Sequence, residues 1–229
     1  MSDFKLFYPK LIANEGGYQA NPKDLGNGPR GETYKGIASR YHPAWAGWKI
    51  VHAYREQWLA VGKKLQTSKD WLAFSKYLAQ STELEQLVIR FYEAQYWDSL
   101  LLDLVANQSV AESLADAGVN AGTGRVGWMI QWILRVSFNK DLALDGKIGP
   151  LTLKALNAVD QAQFHACFAQ LRRDFYRYRT GQFGSYQQEP RLVALHKFFR
   201  DKLHLKTDVS QKVFLRTWLQ RVDHMKFSA

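Results

Sequence analysis

Phe4, Phe7, Tyr8, Leu11 and Ile12 recur at i, i+3, i+4, i+7 and i+8, which predicts an amphipathic helix with one buried stripe. Pro9 interrupts its middle, and the helix is expected to run on to Glu15, where Gly16 and Gly17 break it. From there to Gly36, glycine, proline and scattered polar residues predict turns and a short hairpin. Helical spacing returns after His42 and Pro43, over roughly 50–64, 69–80 and 82–100, the last with Leu84, Leu87, Val88, Phe91 and Tyr92 in one stripe. Ser109 with Glu112 three residues on predicts a capping box, and Gly118, Gly122 and Gly124 predict that the helix behind it bends or restarts. Arg125–Phe138, with Trp128, Met129, Trp132 and Ile133, is the expected central core helix. Pro150 suits the first position of a following helix, and helices over 160–179, 189–203 and 209–225 close the chain around a loop near 181–188. The expected fold is mainly α, with one small hairpin-containing lobe and no tandem repeat.

Composition narrows the class. At 229 residues and 46% hydrophobic, the chain can bury a sizeable core as one large domain or two joined halves. Aromatic residues make up 14%, enough that some could line a groove for sugars or bases while most pack. A formal charge of +10 favours polyanionic partners without choosing among nucleic acid, anionic lipid and a charged cell wall. The single cysteine, Cys167, excludes an internal disulfide and a Cys-based zinc site, and its helical surroundings predict a buried thiol. Neither a signal peptide nor a membrane span is evident, so a soluble product is expected, reaching any site outside the cytoplasm by a non-classical route.

Glu15 is the first candidate for chemistry. At the last turn of a helix a carboxylate meets the negative end of the macrodipole, which predicts a raised pKa and suits general-acid work near neutral pH. Asp24 and Thr33 complete a polar trio. A glycosidase needs a protonated carboxyl for the leaving oxygen and a second group for water or the cationic transition state. Spacing alone leaves open a solvated loop with Asp24 as a turn former.

Larger motifs add a resemblance. E-G-G-Y (15–18), Asp24 nine residues after Glu15, and G-E-T-Y-K-G-I (31–37) together resemble the glycoside hydrolase family 108 muramidases. R-Y-H-P-A-W-A-G-W-K-I-V (40–51) is similar to a subgroup once described as secretion activators. Y-E-A-Q-Y-W-D (92–98) and D-A-G-V-N-A-G (116–122) resemble the family's Tyr-Trp-Asp and Asp-x-x-x-Asn-x-Gly segments. D-G-K-I-G-P-L-T-L-K-A-L (145–156) looks like its appended peptidoglycan-binding region, and W-L-Q-R-V (218–222) like its closing Trp-x-x-Arg-Val. The resemblance implies a lysozyme-like helical fold, with a catalytic half over 1–100 and a helical half over 106–229 that resembles a peptidoglycan-binding region, packed as one body.

It also implies a muramidase that cuts the β-1,4 bond between N-acetylmuramic acid and N-acetylglucosamine, without cofactor or metal and as a monomer. Glu15 takes the general acid by matching E-G-G-Y. Asp24 and Thr33 are also similar to the phage lysozymes, where an Asp nine after the Glu and then a Thr line the cleft. The stretch L-G-N-G-P-R-G-E between them is longer than the family's usual Asp-x-Gly-Gly-x-Thr, so Glu32 stands as a rival second carboxylate. Tyr18, Glu32, Tyr34 and Asn120 are the expected substrate contacts, with core packing open for Tyr34, Tyr96 and Trp97, and a helix break or cap for Asn120. The implied partners are peptidoglycan glycan strands and anionic envelope polymers, and the implied place of action is the bacterial cell wall.

Other signals lead elsewhere. Gly26, Gly28 and Gly31 spell G-x-G-x-x-G, but no apolar strand precedes them, so a nucleotide site is not expected. The six histidines lack metal-ligand spacing. R-R-D-F-Y-R-Y-R (172–179) could stack on single-stranded nucleic acid, although Phe175 and Tyr178 read as a buried stripe with the arginines fanned to solvent. S-Q-K-V-F-L-R-T-W-L-Q-R-V (210–222) could touch anionic lipid, with packing against the body the favoured reading. Two other functions stay open: a wall-binding module that has lost catalysis, and a basic nucleic-acid-binding helical protein.

Overall fold

Phe4, Phe7 and Leu11 bury one stripe of the first helix, α1 (Phe4–Ile12), and Pro9 is tolerated on its exposed side. The structure, a computed structural model, describes residues 1–13, 15–22, 27, 31–184 and 189–229. Asp24 and the glycines at 26 and 28 lie outside these residues. The chain divides into two compact units, Phe4–Gln95 and Met1–Asp3 with Tyr96–Ala229. Ten α-helices and one three-stranded sheet among the described residues make the architecture mainly α and lysozyme-like.

In the first unit, α2 (Gly47–Ala60) buries Trp48, Val51 and Trp58. A capping box starts α3 (Ser68–Leu78): Asp70 N donates to Thr67 Oγ1 at 3.2 Å, and Thr67 N returns a bond to Asp70 Oδ2 at 2.9 Å. Ser81 caps α4 (Thr82–Tyr92), which buries Leu84, Val88 and Tyr92. The sheet pairs β1 (Tyr18–Gln19), β2 (Thr33–Tyr34) and β3 (Ile37–Ala38) in antiparallel order, with Tyr34 opposite both Tyr18 and Ile37. Lys35 and Gly36 join β2 to β3 with φ of 43° and 76°, the two left-handed residues of the tight turn that matches strand twist.

Two expectations need correction here. First, α1 stops three residues short of Glu15, whose amide donates to the Ile12 carbonyl at 3.2 Å from the turn beyond the helix. The backbone leaves the helix early because Gly17 must lie against α3, where a Cβ would come within 2.3 Å of Ser75 Oγ. Second, the helix expected over 82–100 changes form after Tyr92, to a π-helix over Glu93–Trp97 and a 3₁₀ turn over Asp98–Leu100. Tyr92 and Trp97 are both buried and five residues apart, a π spacing.

The second unit is built around α5 (Gln108–Ala121), which buries eleven of its residues. This helix, and not α6 (Thr123–Phe138), is the central element. Ala111, Ala115, Ala117 and Gly118 let neighbours approach closely while contributing little apolar signal of their own. Its cap is Asn107, whose Oδ1 accepts from Val110 N at 3.1 Å; Ser109 Oγ instead accepts from Ser228 N at 3.0 Å, and Glu112 from Gln108 at 3.0 Å. Around it stand α6, α7 (Pro150–Asn157), α8 (Gln161–Arg179), α9 (Pro190–Asp201) and α10 (Leu215–His224). The first six residues of the expected last helix form a 3₁₀ turn, Val209–Phe214.

Asp116 ties this unit together. It is 0% exposed, with Arg172 of α8 at 2.6 Å from Oδ2 and Arg221 of α10 at 2.6 Å from Oδ1. Of the arginines of 172–179, Arg172 does not fan to solvent, whereas Arg173, Arg177 and Arg179 stay partly exposed. Arg172 pairs with Asp116, Arg173 with Asp223 and Arg177 with Asp174, while Phe175 and Tyr178 are buried as expected. Cys167 is half-buried.

Candidate active site

Residues 15–18 and 31–37 build one small scaffold, and most of their side chains serve it. Gly17 provides the close approach to α3, where Tyr18 N donates to Ser75 Oγ at 2.7 Å. Tyr18 is 4% exposed, with its ring edge-on to Phe74 at 4.9 Å and its hydroxyl donating to Glu32 Oε2 at 2.8 Å. Gly31 lies so close to the Asn27 carbonyl oxygen that a Cβ would come within 1.5 Å of it. Tyr34 is 1% exposed, and burial together with the nearby Glu85 carboxylate pushes its hydroxyl up to about 12. Tyr18 is raised further, by burial first and Glu32 second. Both tyrosines, expected as sugar contacts, sit with their rings in the core, so neither offers a face to a ligand.

Glu32 is also engaged. It is 7% exposed; Oε2 accepts from Tyr18, Oε1 lies 2.6 Å from His52 Nε2, and Arg55 donates to both oxygens at 3.3 and 3.2 Å. These partners fasten the hairpin to α2. Both oxygens of Glu32 are thus taken up in anchoring the hairpin, an arrangement unlike that expected of a rival second acid or a substrate contact.

Glu15 is placed differently. It is half-buried, and its carboxylate lies against the turn between β2 and β3. A Cβ on Gly36 would fall 2.5 Å from Glu15 Oε2 and 2.4 Å from the Tyr92 hydroxyl, so the missing side chain is what lets carboxylate and phenol share that corner. Tyr92, 2% exposed, donates to the Lys35 carbonyl at 2.6 Å and fixes the turn from α4. The Lys35 ammonium pairs with Glu85, whose other oxygen accepts from Tyr8 at 2.6 Å. Glu85 and Tyr92 are seven residues apart, two turns along one face of α4, and that spacing was the available signal for two supports which sequence reasoning did not single out.

Thr33 is half-buried on β2, with Oγ1 donating to Asn27 Oδ1 at 2.5 Å; Asn27 in turn donates to Gln19 Oε1 at 2.8 Å. Asp24, the expected second carboxylate, is outside the described residues. Asn120 belongs to the other unit and donates to the Asp116 carbonyl at 2.8 Å within α5. No group of three His, Cys, Asp or Glu among the described residues could hold a metal. A cavity of about 400 Å³ between α6, α8 and α9 lies in the second unit, with Trp132, Ile133, Leu171 and Leu195 in its walls. Its carboxylate, Asp174, is raised by burial but already accepts from Gln170 and Arg191, so this cavity has no acid placed for glycoside cleavage.

The hairpin corner thus holds one half-buried carboxylate, Glu15, beside the turn that Tyr92 fixes. The family model for glycosyl hydrolase 108 matches residues 8–122, a span from within α1 to the end of α5. No curated protein matches the chain. Among solved structures the chain is similar to Brucella abortus SagA, at 20% identity and a TM-score of 0.50, covering 90% of this chain and 97% of that one, which is a likeness of fold.

Proposed function

Because the chain belongs to glycosyl hydrolase family 108, we propose that it is a peptidoglycan hydrolase cutting the β-1,4 bond between N-acetylmuramic acid and N-acetylglucosamine, with Glu15 as general acid. The observation carrying this reading is the place of Glu15: within the span matched by the family model, it lies half-buried with its carboxylate against the corner that Gly36 leaves clear. In the proposed step, the Glu15 carboxyl gives its proton to the glycosidic oxygen as the bond to the anomeric carbon breaks. Water then adds to that carbon and loses a proton to a second base. We assign that base to Asp24, with Thr33 helping to place the water. The net charge of +10 would concentrate the enzyme on anionic envelope polymers at the wall, where it acts as a monomer.

Glu15→Gln keeps the shape of the side chain and removes the acid. It is expected to lower release of reducing ends from purified sacculi at least about 100-fold with unchanged sacculus binding. Mass analysis of the fragments identifies the bond. Parent-like release by the Gln variant, or fragments cut elsewhere than after N-acetylmuramic acid, overturns the assignment.

A further inference from the structure

The segment just before α10 carries apolar side chains that the fold does not use. Val209–Phe214 has no buried residue, and Val209, Val213 and Phe214 are 64%, 75% and 54% exposed. Packing against the body, the favoured reading of this stretch, holds for α10 itself, where Val222 is buried and Trp218 lies 5.2 Å from the Tyr176 ring. It does not hold for the six residues ahead of it. Their geometry is nonetheless fixed. Phe214 stacks on Trp218 at 5.9 Å, Arg179 sits over that indole at 5.7 Å and bonds Gln211 at 2.7 Å, and Asp208 caps the turn through Ser210.

The charge around this patch is mostly positive. From Lys202 to Arg216 the chain carries Lys202, Lys206, Lys212 and Arg216 against Asp208, and the flanking acids Asp201 and Asp223 are paired with Arg200 and Arg173. Lys206, Lys212 and Arg216 are exposed, and Asp208 is already engaged by Ser210. Apolar side chains ringed by cations match an anionic lipid surface, where hydrocarbon takes the first and headgroups the second. A sugar or phosphate polymer would use only the cations. A second copy of this chain would bring like charges together.

We propose that the Val209–Phe214 turn and the cations beside it form a docking surface for an anionic lipid bilayer, independent of the hairpin site. No described helix is long and apolar enough to cross a membrane, so this contact is a surface one. The test is co-sedimentation of the full chain with phosphatidylglycerol-containing vesicles and with pure phosphatidylcholine vesicles, at low and high salt. The parent is expected to bind the anionic vesicles, to release at high salt, and to ignore phosphatidylcholine. Val213→Asp with Phe214→Asp, and separately Lys212→Glu with Arg216→Glu, should each weaken that binding at least about tenfold. All four side chains are exposed, so both variants should fold, which circular dichroism checks at the assay temperature; the apolar variant also loses the Phe214–Trp218 stack and should melt slightly lower. Failure of the parent to bind, binding by the apolar variant equal to the parent's, or a concentration-dependent dimer that the apolar variant abolishes would each overturn the proposal. A soluble polyphosphate that competes fully while the apolar variant still binds like the parent assigns the cations to a polymer and also overturns it.

Discussion

Glu15 and Asp116 both fall within the span matched by the family model, and they sit in different settings. Asp116 is 0% exposed, and each of its oxygens has a guanidinium at 2.6 Å from a helix far along the chain. Glu15 sits half-buried in a turn, against a corner kept open by Gly36. A carboxylate tied to two distant helices serves the fold. One at the edge of a turn is the kind we propose for chemistry. The same contrast recurs inside the hairpin, where Glu32 behaves like Asp116. Glu32 and Asp116 are thus accounted for by the fold, and the general-acid role proposed above is assigned to Glu15 alone.

The largest effects should separate the two kinds. Asp116→Ala leaves Arg172 buried, charged and short of its main partner, with its Nε already unpaired. We expect a loss of about 3–5 kcal/mol in urea unfolding. Glu15→Gln is expected to shift stability by no more than about 0.5 kcal/mol while removing turnover. A stable Asp116→Ala protein, or an unfolded Glu15→Gln one, breaks the comparison.

Gly36→Ala tests the corner directly. Its φ of 76° disfavours any Cβ, and the methyl would press on both Glu15 Oε2 and the Tyr92 hydroxyl. We expect a cost of about 1–2 kcal/mol in stability and a fall of at least about tenfold in kcat on sacculi as the acid is pushed from its place. Full activity in a correctly folded Ala variant would show that the corner does not position Glu15.

Much of this contrast could be read from sequence, and the unreadable part has a physical reason. Most helices and the hairpin follow from local spacing, since each depends on residues within a few positions of one another, while the candidate acid came from the motif resemblance. Which acids are enclosed does not. Glu32 is held by His52 and Arg55, twenty and twenty-three residues on, and Asp116 by Arg172 and Arg221, fifty-six and one hundred and five residues on. The rank of α5 as the central helix was hidden for a related reason: its small residues allow close packing without adding hydrophobicity. Tyr92 read as one more apolar stripe residue because its hydroxyl's partner, Lys35, is on a turn fifty-seven residues earlier.

A smaller effect is expected from Tyr92→Phe, which removes only the bond to the Lys35 carbonyl. About 1 kcal/mol of stability should be lost. If that bond keeps the turn beneath Glu15 and Tyr92 itself does not touch substrate, kcat falls roughly fivefold with KM unchanged. A change in KM alone would move Tyr92 from positioning the acid to shaping the binding surface.

The smallest effect sharpens the other side of the comparison, through a histidine beside the buried ion centre. His165 is 6% exposed, with Nε2 3.1 Å from Ser113 Oγ, and burial, then the Arg172 cation, lowers its pKa from the usual 6.5. On acidification the unfolded chain takes up this proton before the folded one does. Stability should therefore fall as pH drops below about 6.5 toward the folded value, and change little above it. Burial lowers His42 and His196 in the same direction, so His165 supplies only a share of the whole-protein slope. Comparing urea unfolding at about pH 7.5 and about pH 5.5 for the parent and for His165→Asn isolates one share, because the variant cannot titrate there. The variant should lose less stability between the two pH values than the parent does. An identical loss would mean that the Asp116 centre does not resist protonation next to it, and that its enclosure is looser than the pairing of Asp116 with two arginines implies.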